Sequence, residues 1–512
     1  MTKERHYSST KIRDASSHFV IGRIVTGLLA MGWLVVLIRY MPAPEYGTYV
    51  ACLAIFEVTN NLSGMGIGES IQRFLPELRV RGNSLEFGNF LLRSLKFRFL
   101  SAVLFGAALF AAFDTVTRLA GVSPPPGLAL VFSVFFLAES LLRFFNDQLL
   151  GALLAQKTAQ RIQTVKNFTR LAAVSALVGL SQPLALDTVF AFEVTSAVCA
   201  MLFAFPEVRQ IRRESRMAGN SAQAAASLDS RAVLRYGTFA YLSLCTYQIY
   251  GSDTLKLIVS RLLGSVEIAA YGMAAALADT LRRYLPLFLL SGIIRPSLVA
   301  RWTENRDPAQ LNHLCNLAFK INLFFLAPVI AFMAVAGDQF GDWLSAGKYT
   351  SAGLLLTLMT ALIATQSLRI VFAMLSAAYT FPAASFTATL ISTLGLPVSV
   401  WLGQRYGSIG VLGGTLASDL SWIVVLVVRL HLAKCSFRPD WIGIAKLTLA
   451  AAVGVQAAKR FPPYASDVYS LALAGVIVFV GYAASVLIFN PLGKNDWAVM
   501  KKLKPGRSVK KK

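Results

Sequence analysis

The sequence predicts an all-α polytopic membrane protein, on three observations. Hydrophobic residues fill 55% of the 512 positions and charged residues only 15%, against about 25% charged in soluble domains. About fourteen apolar stretches each approach the roughly 20 residues that cross some 30 Å of hydrocarbon as a helix. The connections between them are too short to hold a folded domain. The stretches are long and continuous rather than short and alternating, which selects helices over a β-barrel.

The first expected span, 20–41, follows a basic N-terminus and is too long for the apolar core of a signal peptide, so it reads as an uncleaved anchor. The second, 46–66, opens after Pro42 and Pro44 and closes in SGMGIGES. That run superficially resembles a phosphate loop. It lacks the Gly-Lys-Ser/Thr ending and follows a membrane helix rather than a strand, so it reads as a helix end at the membrane surface. The third to sixth spans are expected at 90–112, 127–149, 166–182 and 185–206. A polar, basic stretch from Glu207 to Arg235, containing NSAQAAASLDS, reads as a flexible connection. Six more spans follow at 237–261, 266–294, 318–337, 352–375, 383–403 and 409–432, and a last pair at 442–458 and 468–490. The largest outer connections, Phe113 to Pro126 and Gly337 to Ser351, are of ordinary length.

The net charge is +23, from 49 Lys and Arg against 26 Asp and Glu. The basic residues gather in alternate connections: Lys3 to Arg13, Arg73 to Arg81, Lys157 to Lys166, Arg209 to Arg235, Arg295 to Lys320, Lys434 to Lys446 and the tail Lys494 to Lys512. This is the positive-inside pattern, and it places both termini in the cytoplasm. No aromatic-interleaved basic groove accompanies the charge, which argues against nucleic acid. The tail KKLKPGRSVKKK suits anionic lipid headgroups or serves as a topology determinant alone. The five cysteines are odd in number and lack metal-ligand spacing, so neither a disulfide framework nor a metal site is expected.

An internal repeat runs through the chain. RYMPAPEYGTYVACLAIFEV after the first span and SRLLGSVEIAAYGMAAALAD after the seventh align at Tyr46-Gly47 and Tyr271-Gly272, an offset of about 225 residues. Parallel repeats of this kind build two-lobed transporters. The expected lobes are 1–232 and 233–436, followed by a two-helix addition at 437–490 and a basic tail at 491–512.

The segment PAPEYGTYVACLAIFEVTNNLSGMGIGESIQRFLPELR resembles the signature of bacterial polysaccharide exporters and O-antigen flippases, in the multidrug/oligosaccharidyl-lipid/polysaccharide flippase superfamily. The resemblance is carried by Glu45-Tyr46-Gly47, by Leu62 to Ile67 and by Arg73 to Glu77, with Leu263-Gly264 and Tyr271-Gly272 as the second copy. It implies an inner-membrane flippase for undecaprenyl-pyrophosphate-linked oligosaccharide, serving O-antigen, exopolysaccharide or capsule assembly. It further implies two six-helix lobes around a cavity that opens alternately to either side, and two extra helices placed to receive a lipid tail. Implied partners are the lipid-linked oligosaccharide, membrane lipids, and polysaccharide polymerase or glycosyltransferases at the basic segments. An ion-coupled multidrug or metabolite antiporter of the same superfamily is the alternative, and a membrane polymerase or ligase the weaker one.

Charges inside the membrane cost roughly 2.5–3.5 kcal/mol each and face a cavity or a partner, so each is a candidate. Glu57 is central in the second span, with Asn60 and Asn61 one turn on. Glu139, Arg143 and Asp147 stand at i, i+4, i+8 in the fourth, on one face of a regular helix. Asp253 and Lys256 are i, i+3 in the seventh; Asp279, Arg282 and Arg283 lie in the eighth; Arg369 sits near Gln366 in the tenth; Asp419 is central in the twelfth with no charged neighbour one turn away. Glu57, Arg143, Asp279, Arg282 and Arg369 are the expected substrate contacts, since guanidinium groups pair bidentately with pyrophosphate oxygens. Asp253 and Asp419 are the expected ion-coupling groups, with H⁺ and Na⁺ both open. The competing reading is that Glu139–Arg143–Asp147 and Asp253–Lys256 merely neutralise one another. Arg23, Arg39 and Arg261 lie near span ends and are expected to snorkel. Arg282 aligns with Glu57 at the repeat offset, which would put opposite signs at equivalent places. No cofactor and no metal is expected. Without a nucleotide loop, a Ser-His-Asp set or a zinc motif, no enzyme is expected either.

Overall fold

The structure is a computed structural model. It describes the chain apart from residues 1–8, 82–83, 154, 218–229, 292–293, 296–297, 300–301, 303, 305, 350–351, 380, 434, 436, 462–463, 494–495 and 497–512. Among the described residues there is no strand. Among the described residues nine helices are long and apolar enough to cross a membrane by length and composition, ten if one bent pair counts as a single span. The chain is a multi-pass, all-α membrane protein. It forms two compact units, Met1–Ala269 and Ala270–Lys512.

In the first unit, α1 (Ser9–Tyr40) lies along α6 (Gln156–Gly179), and α6 along α7 (Leu186–Met217). The helix α2 (Ala43–Ser63) begins behind Pro42 with Pro44 in its first turn, where a missing N–H costs nothing. It ends at Gly64, and Gly66 (φ +73°) turns the chain through 53° into α3 (Ile67–Arg81). SGMGIGES is therefore the turn between two helices. Then come α4 (Ser84–Leu119) and α5 (Leu128–Arg143), the latter entered through Gly127 at φ +88° and continued by a π-helical stretch, Phe144–Leu150. Phe132, Phe135, Phe136 and Phe190 pack with Phe56 as the aromatic centre of this unit.

The expected seventh span is two helices, α8 (Ser230–Ile249) and α9 (Ser252–Leu263), broken around Gly251. Thr254 Oγ1 donates to the Gln248 carbonyl at 2.6 Å and Asn61 Nδ2 to Gln248 Oε1 at 2.8 Å, so the break is held by side chains. That is the condition for interrupted backbone at membrane depth. These two helices, expected to open the second lobe, pack on α2 and α3. Gly47 lies against the Ser265 carbonyl and Gly66 against Gly237 so closely that a Cβ would meet backbone at 1.8 and 2.1 Å.

In the second unit, α10 (Ser265–Tyr284) enters from the first and is followed by the single turn α11 (Pro286–Leu289). The Leu287 N–H freed at this break donates to Asn322 Oδ1 at 3.1 Å, and Asn322 Nδ2 donates to Ser367 Oγ at 2.8 Å. The long α12 (Pro308–Ser345) packs on α13 (Ala352–Ala378). Asp307 caps it, accepting from Ala309 N at 2.9 Å. Its 38 residues exceed a bilayer core by many turns. α14 (Pro382–Ser392) and α15 (Gly395–Leu432) cover the eleventh and twelfth expected spans, with the second break at Gly407, φ +63°. The last pair, α16 (Trp441–Lys459) and α17 (Val468–Phe489), start at Asp440 and Asp467, which accept from Gly443 N and Ser470 N.

Three expectations change. The connection Glu207–Arg235 is helical up to Met217 and again from Ser230, and NSAQAAASLDS lies outside the described residues apart from Ser230. Lys166 and Lys320, expected among loop residues, sit well inside α6 and α12, at 7% and 4% exposure, because both helices begin about ten residues earlier than their apolar stretches. The regular i, i+4, i+8 register of Glu139, Arg143 and Asp147 is interrupted, because Asp147 lies in a π-helix that closes i→i+5 hydrogen bonds, yet Asp147 stays within electrostatic reach of Arg143. The basic tail from 497 onward lies outside the described residues.

Candidate functional site

Each unit carries a cluster of charges at membrane depth. In the first, α5 brings Arg143 between two carboxylates. Arg143 Nη1 donates to Glu57 Oε1 and Oε2 at 2.7 and 2.9 Å, and its Nε donates to Glu139 Oε1 at 2.8 Å. Lys166 Nζ then donates to both Glu139 oxygens at 2.7 Å. The chain Glu57–Arg143–Glu139–Lys166 joins α2, α5 and α6 and is formally neutral. Glu139 has 3% of its side chain exposed, whereas Glu57 and Arg143 keep 30% and 34%. The outer pair can meet a ligand; Glu139 and Lys166 hold it in place. The guanidinium also stacks 4.8 Å from the Phe56 ring centre.

One turn further along α2, Arg98 of α4 is buried and donates to Asn60 Oδ1 at 2.5 Å and Ser63 Oγ at 2.8 Å. Its partners among the described residues are neutral, so the cation is hydrogen-bonded and its charge uncompensated. A third group joins Tyr49, Glu193 and Arg170, with Glu193 Oε1 accepting at 3.0 and 3.1 Å. Asp253 pairs with Lys256 at 2.9 Å in the first turn of α9, and Asp147 accepts from Asn146 Nδ2.

In the second unit, Arg369 Nη1 donates to Asp419 Oδ1 at 2.7 Å, joining α13 to α15. Arg369 stacks over Trp422 at 5.0 Å, and Asp419 Oδ2 is buried with no hydrogen-bond partner among the described residues. Arg282 pairs with Asp279 at 2.8 Å, donates to Gln366 Oε1 at 3.1 Å, and lies within electrostatic reach of Asp419. Asp279 and Arg282 keep about a third of their side chains exposed, at 31% and 34%.

The expected residues thus fall into a Glu57–Arg143 pair in one unit and an Asp279–Arg282–Arg369–Asp419 cluster in the other. Asp253 pairs with Lys256 on α9. Asp419, isolated along its own helix, finds its cation on a neighbouring one. Sequence reasoning missed Lys166 and Arg98. The signal for Lys166 was the spacing of Ala159, Ile162, Lys166 and Asn167, all buried on one face of α6. Arg98 carried no signal beyond its place inside an expected span. Among the described residues no group of three His, Cys, Asp or Glu could hold a metal.

No family model matches the chain, and no curated protein matches it. Solved structures do. One of lipid II flippase MurJ in an inward closed conformation superposes with a TM-score of 0.63 at 14% identity, over 94% of this chain and 99% of that one. An inward-facing multidrug resistance MATE family transporter of the MOP superfamily gives 0.56 at 15% identity, over 82% and 98%. The Vibrio cholerae MATE transporter VcmN, as a point mutant, gives 0.54 at 13%, over 84% and 100%. These relatives are transporters and flippases, and at such identities the likeness speaks for architecture alone. This chain has the polytopic helical fold of lipid II flippase MurJ over nearly its whole length, and that of the multidrug MATE transporters over more than four fifths of it.

Proposed function

We propose that the protein is an alternating-access flippase that carries a lipid-linked, pyrophosphate-bearing oligosaccharide across the bacterial inner membrane, for surface or secreted polysaccharide. The observation that carries this reading is the presence of guanidinium groups at membrane depth that either keep solvent exposure or lack a counter-ion among the described residues. Arg143 and Arg282 are partly exposed and Arg98 is uncompensated, an arrangement that suits an anionic headgroup. The exposed guanidinium groups would bind pyrophosphate oxygens, with Glu57 and Asp279 holding them in orientation and meeting sugar hydroxyls. The two lobes would rock about the bound headgroup. Asp419, with one oxygen unpartnered, and Asp253 are the groups proposed to take up H⁺ or Na⁺ if transport is coupled. Polymerase and glycosyltransferases are proposed partners at a cytoplasmic surface that includes both termini.

The second reading, an ion-coupled multidrug antiporter, is favoured by the same unpartnered carboxylate oxygen and by the MATE likeness. Deleting the gene and counting lipid-linked oligosaccharide on each face of the inner membrane separates them. Accumulation on the cytoplasmic face with loss of surface polysaccharide is expected. An unchanged distribution with altered resistance to cationic drugs would overturn the flippase in favour of the antiporter.

A further inference from the structure

A polar cavity of about 810 Å³ lies in the second unit where the starts of α12 and α16 meet the end of α17. It is distant in sequence from every residue proposed above to touch substrate, and its construction is specific. Asn312 and Asn316 clamp the chain before α16: both Nδ2 groups donate to the Arg438 carbonyl, at 3.2 and 2.8 Å, while their Oδ1 atoms accept from Arg438 N and Asp440 N at 3.0 and 2.8 Å. Lys320, 4% exposed, is the floor. Its ammonium donates to Asp440 Oδ2 at 2.7 Å and also to Asp496.

These contacts consume both carboxylates and the lysine, so the remaining charge is positive. The lining holds three cations, Lys320, Arg438 and Lys446, against two anions, Asp440 and Asp496, for a net +1 with His313 neutral. Arg438 is exposed and Lys446 half-buried, with Lys446 close enough to act electrostatically on Asp440. Two helix N-termini, of α12 and α16, also open here, and both add positive potential. Ile442, 72% exposed, lines the cavity, and its chain neighbour Trp441 is 69% exposed at the first residue of a membrane-spanning helix. Tryptophan at that position marks the headgroup level of a bilayer.

We propose that this cavity binds the phosphate headgroup of an anionic membrane phospholipid. Arg438 and Lys446 contact the phosphate, Lys320 sets the floor through its two carboxylates, and the acyl chains leave past Trp441 and Ile442. A basic pocket between helix ends at the membrane surface matches this ligand class. The exposed apolar side chains of Trp441 and Ile442 select a lipid-borne phosphate over a soluble one.

The test is native mass spectrometry of the full purified chain in detergent. Phosphatidylglycerol and phosphatidylcholine of the same acyl composition are titrated, each with and without millimolar inorganic phosphate. Phosphatidylglycerol should be retained preferentially, and R438A/K446A should lower that preference roughly twenty-five-fold, about fivefold per basic residue removed. R438K/K446R should keep it. Retention unaffected by inorganic phosphate supports the lipid as the source. Displacement by it supports the same phosphate chemistry with a soluble occupant. Equal retention of the two lipids, an unchanged preference in R438A/K446A, or equal loss in R438K/K446R would overturn the proposal.

Discussion

Arg143 meets Glu57 through a single guanidinium nitrogen that donates to both carboxylate oxygens, and it meets Glu139 through another nitrogen. One cation on α5 therefore settles two anions on two helices. Lys166 supplies the second positive charge that the arithmetic requires.

The arrangement makes the inner and outer members of the cluster separable. Glu139→Gln removes the anion between Arg143 and Lys166 and leaves the buried Lys166 ammonium without its carboxylate partner. It should cost roughly 3–5 kcal/mol, read as a large fall in the thermal midpoint of the detergent-solubilised protein. Glu57→Gln, at a partly exposed position, should cost under about 1 kcal/mol and lower export instead. Equal destabilisation by both would make Glu57 a packing residue.

Arg282→Ala and Arg369→Ala should each reduce polysaccharide export without loss of protein from the membrane. Arg369 and Asp419 touch, so their effects should not add: Arg369→Ala/Asp419→Asn should fall no further than the worse single variant, with a coupling of about 0.5–3 kcal/mol. Strict additivity in a double-mutant cycle would deny the 2.7 Å contact a role.

If Asp419 couples transport to an ion gradient, Asp419→Asn should leave residual transport that no longer responds when the gradient is collapsed. An unchanged response in reconstituted vesicles would make Asp419 structural.

Gly47→Ala would place a Cβ 1.8 Å from the Ser265 carbonyl, so backbone must move. It should destabilise by about 1–3 kcal/mol and lower the thermal midpoint. Gly179→Ala has no atom within 4 Å of the added carbon and should be neutral or mildly stabilising. Identical midpoints for the two variants would refute the close approach.

Burial opposes ionisation of Asp440, but hydrogen bonds from Lys320 and the Gly443 N–H outweigh it and hold the carboxyl below its ordinary value. A depressed carboxyl contributes stability above its unfolded pKa, about 3.9, and that contribution fades as pH falls through the folded value. The difference in thermal midpoint between wild type and Asp440→Asn should therefore stay constant from neutral pH down to about 5 and narrow only below about 4. A difference that narrows nearer neutrality would assign it to another group.

The helical membrane architecture was legible because apolar runs of spanning length have few other uses. Helix ends were less so. α6 and α12 extend about ten residues beyond their apolar stretches, since polar side chains that find partners in a bundle do not end a helix. That extension carried Lys166 and Lys320 from expected loops to buried sites. The chosen charges were largely legible as intramembrane residues, but their pairing was not. Asp419 has no helical neighbour of opposite sign and finds one only when α13 packs on α15. The π-helical stretch that carries Asp147 was invisible to an i+4 pattern.

Lys320 has a mechanical consequence as well as an electrostatic one. It stands on α12, while the carboxylates it gathers stand at the entrance to α16 and beyond the end of α17. Tyr482 of α17 adds a second tie by donating to the Phe324 carbonyl of α12 at 2.9 Å. The last two helices are thus riveted to one earlier helix and share its rigid-body motion. Any tilt of α12 must swing them together as a single vane, and a label on α17 should report the angle of α12.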